Sequence, residues 1–316
     1  MLFKFNEYTS LKDYRAYELA EKLILYNGGK KYGQIVFLAG GAGSGKGFAR
    51  QRFISAESYK VRDVDELKLA FQQLSVLDKF TTKEFVEKYG NNLSDKDRQL
   101  VQTEMLDKGI TISKLKLNNP MHVYLLHMIV KATGAKEKTL DSILQGAKEN
   151  KLPNLLFDVT FKDLDEFNRV IPDLIRVGYE PRNIHLTWVL TNYEIAVKNN
   201  KMRARTVPED ILLQTHTGAA RTVYSLIKDG TPKEIDGRVD VILNNPENTV
   251  LFVDPKTGKP YRTARGDMVV KSFTYLNLKD PGKPAKKEID VKKQLLTWIR
   301  DNTPKDALDT SDLDKL

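Results

Sequence analysis

The residues best suited to chemistry stand together in one glycine-rich stretch, GGAGSGKG at positions 40–47. An apolar run at 35–39, short and β-branched enough to be a buried strand, precedes it, and a helical pattern begins at Lys46. In such a strand–loop–helix arrangement, backbone N–H groups can curl round a phosphate, and the helix N-terminus adds partial positive charge. The stretch predicts a P-loop. Its expected phosphate-binding residues are Gly41, Ala42, Gly43, Ser44, Gly45, Lys46 and Gly47, with Lys46 reaching the outer phosphates as a point charge.

One position departs from the usual pattern GxxxxGK[ST]. Gly47 stands where a Ser or Thr hydroxyl would normally bind Mg²⁺, and Phe48 follows it. We therefore expect any bound metal ion to be held by water molecules and carboxylates. The alternative interpretation is a glycine turn between a strand and a helix that binds no ligand.

A second group of polar residues ends the apolar run NLLFDVT at 154–160, which contains Asp158 and, two residues on, Thr160. The carboxyl ends of parallel strands line the ligand crevice of an α/β sheet, so both side chains are expected beside the P-loop. Asp158 is the candidate for holding Mg²⁺ through water and for contacting substrate. The alternative is that Asp158 caps the next helix.

The elements that would position these residues alternate along the chain. Helices are predicted at 10–27, 162–176, 192–200 and 209–228, and short strands at 59–62, 185–190 and 239–243. Residues 66–148 are mostly helical in pattern. Alternation of this kind predicts an α/β fold in which helices flank a parallel sheet, with a helical insertion at about 66–148.

Beyond residue 248 the pattern changes. A β-hairpin is predicted over 250–262, a basic proline-containing linker at 283–287 and a short amphipathic helix at 291–300. We therefore expect one domain of residues 1–248 and a small C-terminal extension of 249–316.

Composition limits the classes of function. The chain of 316 residues has 41% hydrophobic residues, no cysteine and no run long enough to span a membrane, and it starts without a signal-peptide pattern, so a cytoplasmic protein is expected. A net charge of +9 suits polyanionic partners, although the basic and acidic residues are mostly interspersed, as on an ordinary solvated surface. A nucleic-acid partner is compatible with this charge but not favoured, because no RRM-, KH- or helix-turn-helix-like pattern accompanies it.

Together these motifs resemble those of zeta-toxin-type P-loop kinases, a family related to polynucleotide kinases and nucleoside monophosphate kinases. The similarity spans about Ile35 to Ile227 and rests on four segments: GGAGSGKG at 40–47, NLLFDVTFKD at 154–163, GYEP at 178–181 and ARTVPED at 204–210. The resemblance implies a P-loop NTPase fold, ATP and Mg²⁺ as cofactors, and transfer of the γ-phosphoryl group to a hydroxyl. In zeta toxins that hydroxyl belongs to the sugar of UDP-N-acetylglucosamine, and a protein antitoxin is an expected kind of partner.

The resemblance also implies roles for single residues. Asp65 matches the family's catalytic base, Thr160 a substrate-contacting position and Arg205 an arginine that contacts the triphosphate. Arg203 would replace a second arginine that the family has further upstream, and Asp63 is the alternative to Asp65. The competing interpretations are that one of the two aspartates caps the helix beginning at Glu66, and that the arginines lie on a solvated surface loop.

Three functions follow as hypotheses. The first is a kinase for a nucleotide or a nucleotide sugar, in which Lys46, Arg203 and Arg205 neutralise phosphate charge and Asp65 deprotonates the acceptor. The second is a kinase for 5′-hydroxyl ends of nucleic acid, which the charge of +9 favours. The third is a nucleotide-binding toxin or regulatory protein with little turnover, for which Gly47 and Phe48 are the best support.

Overall fold

The structure, a computed structural model, describes residues 2–4, 32–54, 58–145, 152–202, 206–261, 268–286, 289–304 and 307–308. The predicted helix at 10–27 lies outside these residues. The chain divides into two compact units, which we call the sheet unit (1–61, 149–199 and 209–316) and the helical unit (62–148 and 200–208).

The strands of the sheet unit form one mixed sheet. They are β1 (Leu2–Lys4), β2 (Ile35–Ala39), β3 (Lys60–Arg62), β4 (Leu155–Val159), β5 (Ile184–Leu190), β6 (Val239–Leu243), β7 (Thr249–Leu251) and β8 (Val270–Lys279). Their order is β1-β8-β6-β5-β2-β4-β3, and β7 pairs with β8. The strand β2 runs parallel to β4 and β5, and β5 runs parallel to β6. The expected α/β class with a largely parallel sheet is confirmed.

Helices cover both faces of this sheet. They are α1 (Lys46–Arg52), α7 (Asp165–Arg176), α8 (Tyr193–Lys201), α9 (Glu209–Asp229) and α10 (Ile289–Asn302). Successive residues of a strand point to opposite faces. Val36 and Leu38 share one buried cluster with Phe48 and Phe53, which lie in α1 and just after it. Phe37 packs on the other face, where its ring lies 5.4 Å from that of Phe167 in α7. The strand that carries the glycine loop is therefore buried on both sides.

The helical unit contains α2 (Val64–Val76), α3 (Thr82–Tyr89), α4 (Asp95–Val101), α5 (Pro120–Thr133) and α6 (Ala135–Gln145). Side chains that accept a hydrogen bond from a first-turn N–H begin four of these helices. The capping residues are Asp63, Thr81, Ser94 and Asn119. Phe85, Met105 and Ile129 are fully buried in its own apolar core.

The C-terminal segment differs from the sequence-based expectation. It contains a turn at 254–259, where the Gly258 N–H donates to Asp254 O at 2.8 Å, but it also supplies β8, which the sequence analysis did not identify. Since β8 pairs antiparallel with β6 and with β1, these residues belong to the main sheet rather than lying outside it. The division into 1–248 and 249–316 stays a prediction. Within the described residues, every helix is too short or too polar to traverse a lipid bilayer.

Candidate functional site

The carboxyl end of β2 is the point at which the strand order reverses. From β2 the chain builds β3 and β4 on one side and then crosses to build β5 and β6 on the other. In open α/β sheets, such a switch point leaves a crevice where ligands bind. The glycine loop leaves β2 at this switch point, and Asp158 of β4 pairs in register with Leu38 of β2.

The loop conformation requires glycine. Gly43 has φ 77° and Gly45 has φ 94°, in the left-handed region that residues with a Cβ rarely adopt. A Cβ on Gly43 would lie 2.7 Å from Ala196 O, and one on Gly45 would collide with the Asn244 amide. Ala196 and Asn244 therefore pack closely against the loop backbone at these two positions.

Three consecutive carbonyls of the loop accept hydrogen bonds from side chains of other elements. The pairs are Ala42 O with His216 Nε2 at 2.6 Å, Gly43 O with Asn199 Nδ2 at 3.3 Å, and Ser44 O with Thr191 Oγ1 at 2.7 Å and Asn244 Nδ2 at 2.6 Å. The C=O and N–H of a planar trans peptide point in opposite directions. The N–H groups of Gly43 and Gly45 are therefore directed away from the side chains that hold these carbonyls, as a phosphate-binding loop needs.

Lys46 and Asp158 lie together at this end of the sheet. The Lys46 ammonium donates to Gly40 O at 2.7 Å and lies 3.8 Å from Asp158 Oδ1. Arg50, one helical turn after Lys46, approaches the other carboxylate oxygen, with Nη1 3.7 Å from Asp158 Oδ2. The Asp165 N–H at the start of α7 donates to Asp163, so the alternative role of Asp158 as the cap of that helix is not observed.

The residues around the loop suit a Mg²⁺ ion whose ligands are mainly water and the phosphate oxygens of a nucleotide. Gly47 has no side chain, and the Phe48 ring packs in the core at 5.6 Å from the Phe273 ring. Ser44 Oγ is buried and has no hydrogen-bond partner among the described residues, which leaves one polar atom for a ligand or water. The same residues contain no group of three His, Asp or Glu side chains that could cage a metal. One carboxylate, water and phosphate oxygens satisfy Mg²⁺, so Asp158 acting through water fits such an ion.

Thr160 follows β4 at the same edge of the sheet and is half-buried. The next residue, Phe161, has φ 54°, which is unusual for a bulky side chain. Its ring is held 5.7 Å from Trp188 and 5.7 Å from Phe37. Strain of this kind persists only where packing enforces it, and it is common near functional sites. Here it fixes the course of the chain directly after Thr160.

The two candidate aspartates of the helical unit have different surroundings. Asp63 caps α2, with its carboxylate accepting the Asp65 N–H at 2.9 Å. Asp65 Oδ1 lies 3.1 Å from the Lys68 ammonium, and 29% of its side chain is exposed. Burial, together with the charges of Lys68 and Lys131, lowers the pKa of His127 to about 4, so this neighbouring ring is neutral at pH 7. The helix-capping interpretation thus applies to Asp63.

Arg203 and Arg205 lie outside the described residues. The residues that follow them are tied to the helical unit: the Thr206 N–H donates to Leu117 O at 3.2 Å, and the Val207 N–H donates to Asn200 Oδ1 at 2.9 Å. The roles of both arginines stay predictions.

Sequence reasoning missed several residues that contact the loop or its neighbours. Thr191 and Asn244 directly follow β5 and β6, the same strand-end signal that identified Asp158, so both could have been found in that way. Arg50 lies one turn after Lys46 on the same helix, a spacing that places the two side chains on one face. His216 carried no local signal, because only the tertiary fold brings α9 to the loop.

Comparison with known proteins gives few matches. No family model matches the chain, and neither does any curated protein. A structure of the PezAT chromosomal toxin–antitoxin system of Streptococcus pneumoniae is similar over 75% of this chain and 78% of its own, with 14% identity and a TM-score of 0.39.

Two further solved structures are similar. The AvrRxo1-ORF1:AvrRxo1-ORF2 complex with ATP matches over 90% of this chain and 69% of its own, with 9% identity and a TM-score of 0.41. TT1252 from Thermus thermophilus matches over 67% of this chain and 88% of its own, with 15% identity and a TM-score of 0.30. All three TM-scores are below 0.5, so the fold assignment depends on strand order and register and not on these likenesses.

Proposed function

We propose that this protein is an ATP-dependent P-loop phosphotransferase. It would move the γ-phosphoryl group of ATP to a hydroxyl of a small nucleotide-type acceptor, either a nucleotide or a nucleotide sugar resembling UDP-N-acetylglucosamine. The observation that carries the proposal is the loop at 40–47. Side chains of other elements donate hydrogen bonds to its carbonyls, and its Lys46 lies beside Asp158. The resemblance to zeta-toxin-type kinases supports the same conclusion.

On the donor side, the loop amides and Lys46 would bind the β- and γ-phosphates of ATP. Lys46 would exchange its bond to Gly40 O for phosphate oxygens, which are stronger acceptors because they are charged. Since the loop is already held by its neighbours, little reorganisation would oppose binding. When bound, Mg²⁺ would neutralise charge on the phosphate oxygens, and Asp158 would hold it through water.

On the acceptor side, we propose Asp65 as the base. It would take the proton of the acceptor hydroxyl as that oxygen bonds to the γ-phosphorus and the bond to the β-phosphate oxygen breaks, which releases ADP. Thr160 would contact the acceptor, and Arg203 and Arg205 would stabilise the charge of the triphosphate. Asp63, which caps α2, is the second candidate for contacting the substrate.

We further propose a cytoplasmic location, where ATP is supplied, and an antitoxin-like protein inhibitor as a partner, as the resemblance implies.

The test is incubation with γ-labelled ATP and a panel of nucleotides, nucleotide sugars and 5′-hydroxyl oligonucleotides. We expect labelled product with one of the first two classes, with loss of the product in Lys46→Ala. If no acceptor is labelled and ATP does not bind, the proposal is wrong.

A second candidate, the polynucleotide 5′-hydroxyl kinase, is favoured by the net charge of +9. Its distinguishing property is salt dependence, because binding to a polynucleotide releases counterions and weakens steeply as salt is added. A titration of oligonucleotide binding between about 50 and 200 mM salt would separate it from the small-substrate kinase, for which only a shallow dependence is expected.

A third candidate, a nucleotide-binding toxin or regulator with little turnover, is supported by Gly47 and Phe48, neither of which offers a metal-binding hydroxyl. It predicts ATP binding without labelled product, with or without Mg²⁺. The same labelling assay, together with direct measurement of ATP binding, distinguishes it from both kinases.

A further inference from the structure

His216 lies against the back of the glycine loop. It is on α9, 7% exposed, and its Nε2 lies 2.6 Å from Ala42 O. A Cβ added to Gly41 would lie 2.6 Å from the same nitrogen. The imidazole therefore fills the space beside Gly41 and, as the Nε2–H tautomer, donates to the next carbonyl along the loop.

One further contact fixes the position of this ring, and another fixes the helix that carries it. The ring of Tyr193, at the start of α8, packs edge-on against it with centroids 5.6 Å apart. One half-turn along α9, Gly218 packs so closely on the chain after β4 that a Cβ there would lie 2.6 Å from Lys162 O. The same helix thus contacts the glycine loop and the segment that follows Thr160.

The hydrogen bond has a directional consequence for the loop. Holding Ala42 O against α9 directs the Gly43 N–H, on the same peptide plane, to the opposite side. Glycines on both sides of Ala42 leave this peptide with little intrinsic preference for one orientation. A hydrogen bond from a donor outside the loop therefore shifts this peptide towards one orientation.

We infer that His216 is a positioning residue for nucleotide binding, which holds the Ala42–Gly43 peptide so that the Gly43 N–H faces the phosphates. The inference rests on the proposed function, because it assigns the loop a phosphate ligand. It requires the donor at Nε2 and not only the volume of the ring.

The test compares His216→Phe, which keeps a ring and loses the donor, with His216→Gln, whose amide supplies an N–H at similar reach. We expect ADP to bind about threefold to tenfold more weakly to the Phe variant, as for the loss of one hydrogen bond, and within twofold of wild type to the Gln variant. In steady-state assays the KM for ATP should rise in the Phe variant while kcat changes less than twofold. His122→Gln, on a half-buried histidine of the helical unit, is the matched control and should leave both constants unchanged.

A second measurement separates this inference from the proposed function. Amide hydrogen exchange of residues 41–45 without nucleotide should be faster in His216→Phe than in wild type and restored in His216→Gln. Equal ADP affinity in wild type and the Phe variant, or a Gln variant as weak as the Phe variant, would overturn the role of His216. Absence of any ADP or ATP binding to the wild type would instead overturn the proposed function. In that case, equal amide exchange in wild type and His216→Phe would show that His216 does not order the loop.

Discussion

The Asp158 carboxylate lies 3.8 Å from the Lys46 ammonium, although the two residues come from different strand–helix units of the fold. The parallel pairing of β2 with β4 sets this distance, because it aligns Asp158 with Leu38, just before the loop. Both side chains are 14% exposed, so water screens the pair only partly. The candidate phosphate-binding cation and the candidate metal-holding carboxylate are thereby positioned by the sheet itself.

Replacing Lys46 by alanine should abolish ATP turnover. The ammonium supplies a charge for the outer phosphates that no backbone amide can replace, and a loss of about 10³-fold or more in kcat/KM is expected for a group of this kind. Turnover is measured as labelled product formed from γ-labelled ATP. Lys83→Ala, on a lysine whose side chain is 84% exposed in α3, is the control and should keep wild-type activity. Unchanged turnover in Lys46→Ala would remove the basis for a P-loop kinase.

Replacing Asp158 by asparagine should change the dependence on Mg²⁺. The amide keeps the shape of the carboxylate but removes the charge that would hold the ion through water, so more Mg²⁺ should be needed for half-maximal transfer. Binding of ADP without Mg²⁺ should be equal or tighter, because Lys46 and Arg50 lose a competing negative partner. Activity titrated against Mg²⁺ and calorimetry with ADP provide the two measurements. Asp163→Asn serves as the control, and a Mg²⁺ curve identical to that of wild type in Asp158→Asn would contradict the assignment.

Replacing Asp65 by asparagine should lower phosphoryl transfer by about 10²- to 10⁴-fold and leave ATP binding near normal, because a base acts on the acceptor and not on the donor.

Asp63→Ala is expected to behave differently. Loss of the cap of α2 should lower the free energy of unfolding by about 1 kcal/mol. Transfer rates and urea unfolding curves of both variants test the distinction. Full turnover in Asp65→Asn would exclude it as the base.

Much of the sheet unit could be predicted from local sequence. The strands around β2, β4, β5 and β6 are apolar, short and bounded by glycine or polar residues, so their type and approximate limits follow from composition. The strand β8 was missed because a register shift in its pairing with β6 and another with β7 break the simple alternation along it.

The parts of the candidate site that a short sequence motif encodes could be predicted. The glycine loop and Asp158 each carry a signal within a few residues. The side chains that hold the loop from behind do not: Asn199 and His216 act through α8 and α9, whose approach to the loop depends on packing of the whole sheet unit. The capping role of Asp63 was predicted only as one of two choices, because Asp-Val-Asp offers two carboxylates and only the backbone at Asp63, in an extended conformation, selects between them.

The surroundings of His185 predict that the free energy of unfolding of the sheet unit depends on pH. Its ring is buried, Nε2 lies 2.7 Å from Gln34 Oε1, and Nδ1 accepts the Arg238 N–H at 2.8 Å, which requires the neutral form. Burial, with Arg238 and Lys279 nearby, lowers the pKa of His185 to about 3. The unfolded chain binds this proton near pH 6.5 and the folded chain does not, so this contribution to stability is complete above about pH 6.5 and is lost as pH falls towards 3.

In His185→Asn, whose side-chain oxygen can still accept the Arg238 N–H, the free energy of unfolding should depend less on pH. Between pH 6.5 and 4.5 the slope should decrease by up to about 1.4 kcal/mol per pH unit relative to wild type. Urea unfolding followed at several pH values measures it, and the change in slope is informative even if the variant is less stable throughout. Lys83→Gln, at a side chain that is 84% exposed in α3, should retain a slope close to that of wild type. An Asn variant with the wild-type slope would show that His185 titrates alike in the folded and unfolded chain, contrary to its burial between Gln34 and Arg238.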